Sequence, residues 1–405
     1  MEKPVQPVLK KCSNRRSFLR NGAVAAGAVS VGAALLPDSV VAFDDHDDGA
    51  PITRGDLAIL TFLSALEQVE ADLWIQYAEL GGLTNAVPGG EGLALNDLQL
   101  NGKAITTGIA TNYVLALQIL DTDMPQYITD NTDDEISHHR FLNNFLAAKG
   151  GRPIDLSEFA ILPPSQVTGV PQNLRLTKLK QLTVDTTWWT RYRSSTANPD
   201  LGGKFENAIP DLAKGQHPAI PLNDGDLVLN PDGSLPNHLQ AIAFTAGFHF
   251  GFIEQGGTSL YPTLAQKVTN LEVLRVLLSI GPSETMHFQT WSDKAGNFNL
   301  ISDPSQSLSF PNLNAGTDPN SGGTGNANDF QTNLIMPEPT VFLNKAFGPV
   351  AIIRPTADFD GGAQAAVQAF AADGLFIDPA TGKNTGIVAK LMELAEAADD
   401  ARRSF

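Results

Sequence analysis

An all-α fold is predicted: four long helices forming a four-helix bundle, with a large insertion between helices two and three and an irregular C-terminal extension. Three observations carry this. Apolar residues recur at helical spacings over four long stretches of the chain. Strand signals are few and short. The four stretches also bring, in chain order, a Glu, a Glu-x-x-His, a Glu and a second Glu-x-x-His. With 405 residues, 42% hydrophobic and 18% charged, the chain has ample material for a core in one or two domains.

The N-terminus reads as an address. Asn14-Arg15-Arg16-Ser17-Phe18-Leu19-Arg20 precedes an uncharged run from Gly22 to Leu36, and Val40-Val41-Ala42 offers small residues to a signal peptidase. This resembles a twin-arginine export signal, with Asn14 and Arg20 as mild departures. The apolar run is about 15 residues against the ~20 of a spanning helix, which favours cleavage over anchoring. Cleavage after Ala42 removes Cys12, the only cysteine, so any metal must be held by His and carboxylates. It also removes six of 27 basic and two of 44 acidic residues, taking the net charge from −17 to −21. No basic face for nucleic acid is left. The twin-arginine route carries folded proteins and suits a cofactor loaded in the cytoplasm.

Residues 43–54 form a polar linker. The first long helix spans Asp56 to Leu80, with Ile59, Leu63, Leu66, Leu73, Tyr77 and Leu80 on one stripe, and Gly81-Gly82 ends it. Residues 83–105 are loop, and Thr106–Leu120 is a short helix. The second long helix runs from Pro125 to Lys149, stopped by Gly150-Gly151. A helical patch over Leu174–Ser194 sits in the less regular 150–235 insertion. The third long helix covers Asn237–Lys267, with a kink expected at Gly256-Gly257 or Pro262. The fourth runs from Leu271 to Gly296. Residues 297–340 are rich in Asn, Gly, Ser and Pro and read as a long loop, and a last helix covers Thr385–Arg402.

Glu135-Ile136-Ser137-His138 and Glu284-Thr285-Met286-His287 are the two Glu-x-x-His motifs. On a helix, positions i and i+3 share a face, so each motif aims two ligands at one site. With 14 Glu and seven His in the chain, chance predicts about 0.24 such pairs. The first helix offers Glu67 and Glu70, and the third offers Glu254 after Phe248, Phe250, Phe252 and Ile253. Four carboxylates and two imidazoles neutralise two divalent metals between four helices, and these ligands suit iron and manganese.

On these residues the chain resembles the ferritin-like superfamily, and more narrowly the exported bacterial ferritin-like proteins related to plant desiccation-related proteins. Leu66-Glu67-Gln68-Val69-Glu70-Ala71-Asp72-Leu73-Trp74 is similar to that family's Leu-Glu-x-x-Glu-Ala-x-Phe-Tyr stretch, with Trp74 in place of Tyr. Glu254-Gln255-Gly256 through Tyr261 resembles its Glu-x-x-Gly-x-x-x-Tyr pattern, with the glycine shifted or duplicated. The resemblance covers residues 55–296, with 150–235 as an enlarged insertion, and leaves 297–405 unexplained. It implies a metal set drawn from Glu67, Glu70, Glu135, His138, Glu254, Glu284 and His287. The family alignment favours Glu67, whereas the stripe 59, 63, 66, 70, 73, 77, 80 favours Glu70 as the inward residue. Glu67 is preferred, with Glu70 a supporting partner behind it.

The remaining candidates have plainer readings. His139 lies one step round the helix and is the fallback ligand. His249 is off the Glu254 face and reads as a core histidine, and His217 and His238 read as structural. Trp188 and Trp189 pack the insertion onto the long helices. The Asp-Gly turns at 224–226 and 232–233 lack the alternating oxygens of a calcium loop. No catalytic residue beyond the metal set is assigned. The expected activity is that of an exported di-iron or di-manganese oxidoreductase acting on dioxygen or peroxide (ferroxidase, peroxidase or catalase-like). Its partners are the metal ions and the twin-arginine translocation machinery, it acts in the periplasm or outside the cell, and a homo-oligomer is left open. The alternatives are a stress- or desiccation-related scaffold with a structural or vacant metal site, and, least favoured, an iron-storing cage.

Overall fold

The computed structural model describes residues 52–83, 99–100, 103–104, 108–193, 205–313, 338–341, 343–352 and 362–404. The twin-arginine motif, the cleavage site and Cys12 lie outside them. The protein is mostly helical, with eight α-helices among the described residues: α1 (Arg54–Gly81), α2 (Thr111–Leu117), α3 (Met124–Ala148), α4 (Thr187–Arg191), α5 (Asn237–Ala265), α6 (Leu271–Lys294), α7 (Gly362–Ala372) and α8 (Ile387–Asp399). The strands are two to four residues long and pair only as antiparallel two-stranded ladders. Among the described residues no helix is long and apolar enough to cross a membrane.

Helix α1 begins with a reciprocal cap. Thr53 Oγ1 accepts from Asp56 N at 3.0 Å, and Thr53 N donates to Asp56 Oδ2 at 3.1 Å. Asp56 also accepts from Thr269 N at 2.8 Å, which ties the start of α1 to the turn between α5 and α6. That turn is five residues long (266–270), so α5 and α6 lie as antiparallel neighbours. Helix α5 runs unbroken through Gly256-Gly257 and Pro262. Gly257 is required by closeness: a Cβ there would lie 3.0 Å from Cγ and Oε2 of Glu284 on α6.

The insertion departs from its sequence pattern. Among the described residues of the Leu174–Ser194 stretch, only Thr187–Arg191 is helical. The preceding N–H groups bond to distant partners instead: Thr177 to Asp72 Oδ2, Lys178 to Leu375 O, Leu182 to His217 O and Thr183 to Asp373 O, at 2.8–3.0 Å. These tertiary bonds replace the helical ones that periodicity favoured. Trp188 rests against Phe248 and Phe288 at ring separations of 5.9 and 5.8 Å, and the absent Cβ of Gly251 gives it room.

The C-terminal part is more ordered than its composition suggested. The predicted last helix is α8, but α7, rich in Ala and Gln, was not anticipated. Asp399 at the end of α8 accepts from Ala363 N (2.9 Å) and Gln364 N (3.0 Å), capping α7, and its carbonyl accepts from Lys267 Nζ at 2.8 Å. One continuous apolar core runs from the long helices into the insertion (Leu179, Leu182) and these two helices (Val367, Leu391).

Candidate metal centre

The two Glu-x-x-His motifs fall on α3 and α6, with all four side chains buried. Glu67 comes from α1 and Glu254 from α5. Two four-residue groups result: Glu67, Glu135, His138 and Glu284, and Glu135, Glu254, Glu284 and His287, with the candidate ligand atoms of each group within 4.8 Å of one another. Glu135 and Glu284 belong to both. Glu135 sets Oε2 3.3 Å from His138 Nδ1 and Oε1 3.2 Å from His287 Nδ1. Glu284 sets Oε1 3.1 Å from His138 Nδ1 and Oε2 3.8 Å from His287 Nδ1. Glu67 lies 3.4 Å from the first imidazole and Glu254 3.2 Å from the second.

The other ring nitrogens fix both tautomers. His138 Nε2 is 3.1 Å from Ser283 Oγ, whose own proton goes to Ile280 O. His287 Nε2 is 3.0 Å from Asp134 Oδ2, a carboxylate that only accepts. When the imidazoles are neutral, each Nε2 therefore carries the proton and each Nδ1 lone pair faces the glutamates. Asn131 Nδ2 donates to Glu135 Oε1 (2.8 Å) and Glu254 Oε1 (3.0 Å), while its Oδ1 accepts from Trp291 Nε1 (2.8 Å). The Tyr261 hydroxyl donates to Glu67 Oε1.

Glu67 Oε2 and both oxygens of Glu284 are buried with no hydrogen-bond donor. Buried carboxylate oxygens are costly without compensation. A cation between them would supply it, and these buried Glu and His groups could hold a metal ion by oxygen and imidazole. Without a cation, the cluster retains protons. Burial pushes Glu67 up to about 8 against the pull of His138, and lifts Glu70 and Glu254 well above the usual carboxylate range. Burial also acts to raise Glu284, but the imidazoles of His138 and His287 beside it outweigh burial and hold it below that range. Burial opposes charge on both histidines, yet the surrounding carboxylates hold them well above the ordinary imidazole value.

Glu70 is buried near the cluster but outside both groups. His139 is outside them as well; it lines a separate cleft of ≈ 1000 Å³ between α1, α3 and residues 153–176, and burial lowers it to about 4. His217 Nε2 donates to Asp211 O at 3.0 Å, and His238 spans Asp226 and Asp303. In the Asp-Gly turns, Asp224 accepts from Thr168, Asp226 from Leu222 N and Asp232 from Ser234. The sequence reading missed Asn131, Asp134 and Ser283 as supports. Asn131 had a signal, standing four residues before Glu135; Asp134 and Ser283 had only their position beside a motif. No family model, curated protein or solved structure matches the chain.

Proposed function

We propose that the chain is a ferritin-like four-helix bundle that binds two iron or manganese ions and uses them in redox chemistry with dioxygen or peroxide, after export by the twin-arginine route. The observation that carries this reading is the shared position of Glu135 and Glu284. Each directs one oxygen toward His138 and the other toward His287. Glu135 and Glu284 would be shared between two cations, with Glu67 and Glu254 as the further carboxylates, and four negative charges would balance two divalent ions.

When bound, the metal pair supplies the electrons that reduce dioxygen or peroxide. The protein supplies the rest. Ser283 and Asp134 keep both Nδ1 lone pairs inward, Asn131 spaces Glu135 from Glu254, and the Tyr261 hydroxyl holds Glu67. The apolar neighbours Leu66, Val69 and Ile253 keep water from the carboxylates. Asp134 beside His287 has a side chain 51% exposed, so the His287 end of the cluster lies nearest solvent.

The test is metal analysis of the mature protein purified from its exported compartment without added metal. About two iron or manganese ions per chain are expected. A folded, helical protein without metal would overturn the reading in favour of a scaffold with a vacant site.

A further inference from the structure

We propose that Tyr77 is a redox-active tyrosine, coupled for its proton to His249 and for its electron to the glutamate cluster through Trp74 and Trp291. This rests on the redox reading above for the electron's destination. It stands on its own geometry for the relay.

The chain of contacts is continuous. Asn131 bonds Glu135 and Glu254 on one side and the Trp291 indole on the other. Trp291 stacks on Trp74 at 5.3 Å with 22° between the planes, and Phe250 fills the angle between them at 4.7 and 4.8 Å. Trp74 meets Tyr77 at 5.7 Å. The Tyr77 hydroxyl lies 2.6 Å from His249 Nδ1, and His249 Nε2 lies 3.2 Å from Asp373 Oδ2. Asp373, directly after α7, brings the C-terminal part of the chain to this point.

Packing alone does not account for the choice of residues. Tyr77, His249 and Asp373 are all buried in the apolar core, where three titratable groups cost more than Phe or Leu would. Burial holds the Tyr77 phenol well above its usual range, so it stays protonated until an electron leaves. His249 Nδ1 then accepts the proton, and Asp373 stabilises the resulting imidazolium. Trp74 Nε1 is buried without an acceptor, so a hole on that ring has no base to trap it and passes on.

One electron leaves Tyr77, crosses Trp74 and Trp291, and reaches the cluster. The O–H proton moves to His249 Nδ1. Tyr77 becomes a neutral radical, both indoles end neutral, and His249 gains one positive charge. The terminal oxidant is hydrogen peroxide, which takes two electrons and two solvent protons to become two waters. Tyr77 furnishes one electron and the metal pair the other.

Two arms test this. In the first, iron-loaded, reduced protein is mixed with hydrogen peroxide, frozen and read by electron paramagnetic resonance. A neutral tyrosyl doublet is expected, lost in Tyr77→Phe and diminished in Trp291→Phe and His249→Gln. In the second, metal-free protein is flashed with a diffusible ruthenium photo-oxidant. Holes enter at the half-buried Tyr127, whose ring meets Trp291 at 6.3 Å, and the same Tyr77 doublet is expected. A doublet that survives Tyr77→Phe overturns the proposal, as does its absence from both arms in protein that binds metal and consumes peroxide. A protein that binds no metal yet forms the Tyr77 radical on flashing would sink the metal reading and leave the relay standing.

Discussion

Helix α1 carries two buried polar seams, and they are finished differently. On the side facing α5 and α6 stand Glu67 and Glu70, 2% and 3% exposed; on the side facing the insertion stand Asp72 and Glu79, 7% and 3% exposed. Residue type and burial are alike. The outer seam is saturated by protein donors. Asp72 Oδ2 accepts from Thr177 N (2.9 Å), Thr177 Oγ1 (2.7 Å) and Gln76 Nε2 (3.2 Å), and both oxygens of Glu79 accept from Arg175 Nη2 (2.7 and 2.6 Å). The inner seam leaves Glu67 Oε2 and, across from it, both Glu284 oxygens without donors. Burial of carboxylates therefore does not mark a metal site. A cation site would need burial with the donors withheld, as at Glu67 and Glu284.

The largest effect comes from breaking the inner seam. Glu135→Ala combined with Glu284→Ala removes both shared carboxylates, and metal content per chain should fall to background by elemental analysis. Retained metal would sink the ligand assignment. The matching break in the outer seam is Arg175→Met, which strands Glu79. A loss of about 3–5 kcal/mol in urea unfolding is expected at pH 8, with metal content unchanged. Burial pushes Glu79 up to about 7 against the pull of Arg175, so the loss should shrink at pH 5, where Glu79 takes up a proton instead. A metal loss in Arg175→Met as large as in the double variant would collapse the distinction between the seams.

How far the two seams were legible in the sequence follows from their range of contact. The Glu-x-x-His motifs are local, set by one helical turn, and could be read with the four long helices that carry them. Periodicity favoured Glu70 over Glu67, yet both are buried, so the stripe alone does not separate them. What separates them is long-range: the Tyr261 hydroxyl on Glu67, and His138 at 3.4 Å from it. The outer seam was invisible for the same reason. Arg175 and Thr177 reach α1 across about a hundred residues, and their segment read as helical because its apolar spacing fitted, while its N–H groups were bound elsewhere. Helix α7 escaped notice because an Ala-rich segment shows a weak stripe, and its cap, Asp399, lies 36 residues away.

Acidity separates the seams more finely. In metal-free protein Glu67 keeps its proton up to about 8, whereas the unfolded chain releases it near 4.5. The folded state binds more protons across that window, so stability falls as pH rises from 4.5 to about 8 and levels off above. His138 and His287, held above the ordinary imidazole value by their carboxylates, add stability below 6.5 that is lost as pH rises through their folded values, in the same direction. Metal bound there would occupy these atoms and flatten the decline. The share due to Glu79, ending near 7, should persist with metal bound. Urea unfolding across pH 5–9, with and without metal, checks this; identical slopes in both states would mean that the inner seam holds no ion.

The smallest expected effect is at Thr177→Val, and it bears on what saturation means. Valine keeps the volume and leaves the Thr177 N–H bond to Asp72 in place. It removes the hydroxyl that donates to Asp72 Oδ2 at 2.7 Å and accepts from Gln76 Nε2 at 2.8 Å. A hydrogen bond to a charged group contributes roughly 1.5–3 kcal/mol. Because Asp72 Oδ2 keeps two donors, we expect the low end, a loss of about 1.5 kcal/mol in unfolding free energy. Burial already raises the Asp72 carboxyl while Arg175 and Thr177 draw it down, so removing the hydroxyl should raise it further. The variant should then lose more stability at pH 8 than at pH 4. A loss independent of pH would mean that the hydroxyl serves packing alone, and that the outer seam is held by Arg175 rather than by a full set of donors.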